Sequence, residues 1–139
     1  MPTVTAYRRR VLPSRSLPAP RFRYSPVVQA GPFAFVSGLI GLDPATGSLA
    51  EGGAYGQAVQ VLRNIRALAH ELGWSMEELL VARVFCAGLE APAEVNRAWD
   101  EAFAEVQPPA RTFVMVSGLP LGAAVEIEFQ FLVQAGMPA

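Results

Sequence analysis

Apolar positions along this chain recur with two periods. Over residues 54–72, Ala58, Val61, Leu62, Ile65, Leu68, Ala69 and Leu72 return every three or four residues, which predicts a helix with one apolar stripe. Gly73 follows as a C-cap. Ser75 and Glu78 have capping-box spacing and open a short turn from Met76 to Leu79. A second stripe, Val95, Ala98, Trp99, Ala102 and Phe103, predicts a helix over about 92–105 with Pro92 near its first turn.

The other period is two. Over 124–134, Val125, Ile127, Phe129, Phe131 and Val133 alternate with Glu126, Glu128, Gln130 and Gln134, as in a strand with one core face. Residues 111–117 form a companion strand with apolar residues on both faces, Phe113 and Met115 on one and Val114 and Val116 on the other. Leu80 to Leu89 reads as a buried strand. Val27–Gly31 and Pro32–Gly38 read as two short strands joined at Gly31-Pro32. Residues 41–53 read as loop with room for one short strand.

The order β-β-α-β-α-β-β gives an α+β layer: one domain with a mixed β-sheet and two helices packed on one face. The second sheet face carries Val114, Val116, Glu126 and Glu128. It is neither cleanly polar nor coverable by two helices, so a further copy of the chain is expected to cover it.

Composition narrows the chemistry. The 139 residues are 52% hydrophobic and 17% charged, which is apolar for a small soluble protein. No apolar run approaches the roughly 20 residues needed to span a bilayer, and the N-terminus has no apolar segment of a secretory leader. The chain contains no lysine, which removes Schiff-base and Walker-lysine chemistry. Its lone histidine, His70, reads as a partner of the helix C-terminus, and its lone cysteine, Cys86, as an inert core thiol. No metal site and no disulfide are expected, and a cytoplasmic location follows from the latter. Trp74 and Trp99 read as packing, and Gly47, Gly52 and Gly53 do not form a phosphate loop.

Charge is unevenly spread. Residues 1–23 hold six arginines and no acid; residues 24–139 hold the other five arginines and all twelve acids, a formal −7. An acidic body argues against a nucleic-acid face. The chain therefore divides into an Arg/Pro-rich arm, 1–23, and a domain, 24–139. The arm is expected to be a solvated or loosely packed extension, with residues 1–20 dispensable for folding. Pro13, Pro18 and Pro20 prevent the amphipathic helix of a transit peptide.

The strongest local signal is Pro108-Pro109-Ala110-Arg111-Thr112. An arginine opening a strand after a rigid turn has little freedom, and its planar fork suits a carboxylate or phosphate. Glu126, expected in the neighbouring hairpin strand on the face away from the core, can position water or move a proton beside a bound substrate. The same two residues also read as a surface ion pair or a buried intersubunit pair.

Five separate patches resemble one family. They are Tyr24-Ser25-Pro26-Val27-Val28-Gln29-Ala30-Gly31; Phe35-Val36-Ser37-Gly38; Asp43-Pro44-Ala45-Thr46-Gly47; Val95-Asn96-Arg97-Ala98-Trp99; and Pro109-Ala110-Arg111-Thr112 with Leu119-Pro120, Gly122-Ala123 and Val125-Glu126-Ile127-Glu128. In order and spacing over about 24–133 they are similar to the RidA/YjgF group, also called endoribonuclease L-PSP. The resemblance implies a chorismate-mutase-like fold and a homotrimer with ligand clefts between subunits. It implies hydrolysis of reactive imines or enamines, such as 2-iminopropanoate and 2-iminobutanoate, to 2-keto acids and ammonia, with no cofactor. It places the carboxylate-binding arginine at Arg111, the water-positioning glutamate at Glu126 and the cleft tyrosine at Tyr24. Substrate contacts fall on Ser37, Gly38 and Asn96 and on the main chain of Phe113.

The chain departs from the group at Leu39, where glutamine is usual, at Leu121, where lysine is usual, and at Phe113, where a smaller residue is common. These changes bear on pocket size. Two other functions stay open: a regulatory trimer that binds a keto acid or small carboxylate without turnover, and a translation inhibitor of the endoribonuclease type. The acidic body and the absence of a histidine pair weigh against the latter. No membrane partner is expected.

Overall fold

The computed structural model describes residues 6–134. Its strands are β1 (Arg10–Val11), β2 (Val27–Ala30), β3 (Phe33–Ile40), β4 (Leu79–Cys86), β5 (Ala110–Met115) and β6 (Val125–Leu132). Its helices are α1 (Gly53–Leu72) and α2 (Ala91–Ala102). The strands form one mixed sheet in the order β1-β2-β3-β6-β4-β5, giving the α+β single domain expected.

Both helices form where the apolar stripes lie. In α1, Ala58, Val61, Leu62, Ile65, Leu68 and Ala69 are buried. Gly73 then turns left-handed at φ 75°, and the N–H of Trp74 reaches back to the Ala69 carbonyl. The Ser75–Glu78 capping box is present on a single 3-10 turn. The second helix ends at Ala102, earlier than its stripe suggests. Phe103 caps it, and its ring still packs 4.5 Å from Trp99.

One sheet face is dry. Val36, Ala82, Val84, Ile127 and Phe129 lie beneath the helices, with Phe131 packed 4.9 Å from Trp74. The other face is open. It presents Phe33 and Phe35 from β3, Arg83 and Phe85 from β4, Glu126, Glu128 and Gln130 from β6, and Val114 from β5. Arg83 and Glu128 face each other across the β4–β6 register and form an ion pair of 3.5 Å.

The sheet order corrects one expectation. The last two strands are not a hairpin, because β6 pairs with β3 and β4, and β5 lies beyond β4 on the edge. The reason is topological. α2 carries the chain from the end of β4 back to its start, so β5 runs parallel to β4. The position left for β6 is antiparallel between β3 and β4.

The described part of the arm is also not a loose extension. Arg10 and Val11 pair with Gln29 and Val28 of β2, giving an extra edge strand. Leu17 is only 7% exposed and belongs to the core. The Glu71 carboxylate accepts hydrogen bonds from Ser14, Arg15 and Ser16. Leu17→Ala is therefore expected to destabilise the fold by about 2–3 kcal/mol, the low end for a buried leucine, as read from chemical unfolding. A change below about 0.5 kcal/mol would return the arm to the status of a dispensable extension. Residues 1–5 lie outside the described part of the chain.

Candidate functional site

Arg111 is the second residue of edge strand β5, placed there by the Pro108-Pro109 break. It is in register with Ala82, which is in register with Phe129; both are buried under the helices. Its side chain accordingly lies on the helical side of the sheet, at the outer edge. There Nη1 donates to Oδ1 of Asn96 on α2 at 2.8 Å. The guanidinium carbon stands 4.8 Å from the Phe113 ring centroid and 5.1 Å from that of Trp99. An amide fixes one N–H and two rings flank the plane, so the fork is held in orientation. Among the described residues no carboxylate pairs with it.

Glu126 opens the last strand on the other face. Its row contains Ile40, Phe85 and, beyond Phe85, Val114. The carboxyl reaches over the backbone of β3 at Gly38, where a Cβ would fall 2.2 Å from Oε1. Only glycine leaves that space open. Burial among the strands pushes the Glu126 carboxyl above the usual carboxylate range, and the neighbouring Glu128 adds to the effect.

Ser37 and Tyr24 lie with Glu126 on this side. Ser37 Oγ donates to the Ser25 carbonyl at 2.8 Å, and its backbone N–H donates to the Pro26 carbonyl at 2.9 Å. These bonds fasten residues 25–26 onto β3 and leave Tyr24 half exposed beside them. Nearby, Phe35, Ser37, Arg83 and Glu128 border an open depression of about 250 Å³.

The seven residues singled out from sequence thus form two groups. Arg111, Asn96 and Phe113 meet at the β5 edge and α2. Tyr24, Ser37, Gly38 and Glu126 meet on the open face. Within one chain the sheet lies between them, so Arg111 and Glu126 do not share a pocket. Trp99, read from sequence as packing alone, also belongs to the arginine group; its place one turn after Asn96 on the same helix face is the sequence signal for it. Cys86 is buried, and burial pushes its thiol up, as befits an unreactive core residue. Among the described residues no group of three or more His, Cys, Asp or Glu side chains could hold a metal ion, and no helix is long and apolar enough to cross a membrane.

Fold and site together define a small α+β protein with a free, preorganised arginine and a separate carboxyl of raised proton affinity. The profile of the endoribonuclease L-PSP family matches residues 14–132. A RutC family protein of Pyrococcus horikoshii is 36% identical over 118 residues, 85% of this chain and 93% of its own. A mouse protein named 2-iminobutanoate/2-iminopropanoate deaminase is 32% identical over 120 residues, covering 86% of this chain and 88% of its own. A solved structure of a Rid-family protein of unknown function from Yersinia pestis superposes with a TM-score of 0.84 at 31% identity, covering 91% of this chain and all of the other. The chain belongs to the RidA/YjgF (endoribonuclease L-PSP) family.

Proposed function

We propose that this protein is a cofactor-free hydrolase of reactive 2-imino or enamine acids, releasing a 2-keto acid and ammonia. The observation that carries the reading is Arg111: a guanidinium held by Asn96, Trp99 and Phe113 with no carboxylate of its own among the described residues. Such a group is poised for the carboxylate of an incoming ligand. The mouse relative's name supplies the substrate class in which that carboxylate sits beside a C=N bond.

The second element is Glu126. As a carboxylate it accepts a proton from the water that attacks the imine carbon. It then returns that proton to the nitrogen as the C–N bond breaks, so the net reaction consumes one water and releases one ammonia. Because the two groups lie on opposite faces of one sheet, the complete site requires the Arg111 edge of one subunit against the open face of the next. A head-to-tail ring of three copies does this and also covers Phe35, Phe85 and Val114. Light scattering at micromolar concentration is expected to show a trimer; a stable monomer would overturn the shared site.

The test is release of ammonia and keto acid from imines formed in situ by an amino-acid oxidase, over several side-chain sizes. Acceleration above the buffer rate is expected. Tight keto-acid binding without acceleration would make the protein a regulatory carboxylate-binding trimer instead.

The pH profile adds a second check. The base must be ionised, and its proton affinity is raised, so the acid limb of kcat should lie above the ordinary carboxylate value. The same shift acts on stability. The folded state holds the Glu126 proton more tightly than the unfolded state, so the fold loses stability as pH rises from the unfolded value through the folded one. Glu126→Gln removes this loss. It is expected to raise the melting temperature slightly at neutral pH while lowering turnover; equal or lower melting would show that Glu126 is stabilised in its ionised form.

A further inference from the structure

Glu71 is a carboxylate in an unfavourable place. It sits in the last turn of α1, where the helix dipole disfavours negative charge. Five hydrogen bonds offset this. Oε1 accepts from Ser14 Oγ at 3.3 Å, from the Arg15 and Ser16 amides at 3.2 and 3.1 Å, and from Ser16 Oγ at 2.6 Å. Oε2 accepts from the Arg15 amide at 2.9 Å. The Ser16 hydroxyl and the Arg15 amide hold the Glu71 carboxyl below the usual range. Three consecutive residues of the arm thus wrap one carboxylate.

Beyond this clasp the chain runs to the open face. Leu17 enters the core, Pro18 and Pro20 stiffen the chain, and Arg21 Nη2 donates to the Gly47 carbonyl at 2.8 Å. The Tyr24 amide donates to the Phe22 carbonyl at 3.0 Å, and Ser37 then holds Ser25 and Pro26. Residues 14–26 therefore form a strap tied at one end by Glu71 and at the other by Ser37, with Tyr24 next to the second tie.

We propose that Glu71 is a positioning residue for the candidate cleft: by clasping residues 14–16 it sets the tension and path of the strap and so fixes Tyr24 beside Ser37 and Glu126. Tyr24's part in turnover rests on the deaminase reading; the mechanical link does not. Freed from the clasp, the chain before Leu17 has only the two-residue pairing of β1 to hold it. The strap then samples other paths, and Tyr24 with it.

The test uses the full-length protein and four variants: Glu71→Ala, Glu71→Gln, Tyr24→Phe, and Glu71→Ala combined with Tyr24→Phe. Amide hydrogen exchange reads the link directly. Glu71→Ala should speed exchange at Arg15, Ser16 and Tyr24 while β4 and β6 stay protected; unchanged exchange at Tyr24 overturns the proposal. Imine hydrolysis reads the consequence. Glu71→Ala is expected to lower kcat/KM by about tenfold, well within what misplacing a group by an ångström costs. Glu71→Gln keeps an acceptor oxygen for the two amides and should recover part of the loss. In the Tyr24→Phe background Glu71→Ala should cost little more, because both changes act through one side chain. Fully additive losses would mean that Glu71 acts by general destabilisation, which overturns the proposal. If the wild type hydrolyses no imine, the deaminase reading fails, and the exchange result at Tyr24 still decides whether the clasp positions it.

Discussion

Arg111→Ala is expected to remove about 2–5 kcal/mol of transition-state stabilisation, the range for truncating one partner of a desolvated charge pair. The size reflects how the side chain is held. Asn96 fixes Nη1 at 2.8 Å, and Trp99 and Phe113 flank the guanidinium, so its order is already built into the fold before a ligand arrives. A carboxylate then gains two parallel N–H donors at small entropic cost. Lysine keeps the charge but has neither the fork nor the flat faces for the two rings, so Arg111→Lys should already be severely impaired. Glu126→Gln should differ in kind: it retains shape and loses the proton acceptor, so keto-acid affinity stays while kcat falls. Imine hydrolysis measured beside keto-acid titration separates the two. If both variants fold, assemble and turn over like the wild type, the deaminase reading fails for this protein.

The second large effect is a recovery. Arg111→Ala and Glu126→Gln, each nearly inactive alone, should regain about a quarter of wild-type activity when unfolded together and reassembled in equal amounts. The fraction comes from counting. A shared site is intact only where its arginine comes from a Glu126→Gln chain and its glutamate from an Arg111→Ala chain, about one site in four for random assembly of a cyclic oligomer. The structural basis is the register. Arg111 shares a row with Ala82 and Phe129 on the helical face, and Glu126 shares one with Phe85 on the open face. One chain cannot bring them into one pocket without reversing the pleat of a strand, which would also turn buried residues outward. Activity no greater than that of the separate variants would place both groups in the same subunit.

Much of this architecture is legible in the amino-acid order. The stripes of Ala58 to Leu72 and Val95 to Phe103 specify both helices, because a helix buries one face and leaves its period in the sequence. The alternation from Val125 to Phe131 specifies β6 in the same way, and the spacing of Pro109-Ala110-Arg111-Thr112 and Val125-Glu126 is enough to resemble one family. The arm is not legible, because Leu17 is a single apolar residue among prolines and arginines. No period marks one anchoring side chain, and Glu71, which clasps the arm, lies more than fifty residues away in sequence.

The sequence by itself determined which segments coil and which extend, which residues face the core of each element, and which side chains carry the candidate chemistry. These are local properties, set by side-chain periodicity and turn residues. Only the tertiary structure decided that β6 enters between β3 and β4, leaving β5 on the edge. Strand order depends on which edges meet after α2 has folded back, and no residue on either strand encodes that alone. That one choice places the rest: Arg111 stands at a free edge beside Asn96, Glu126 stands on the uncovered face above Gly38, and the chain carries two halves of a site rather than one whole.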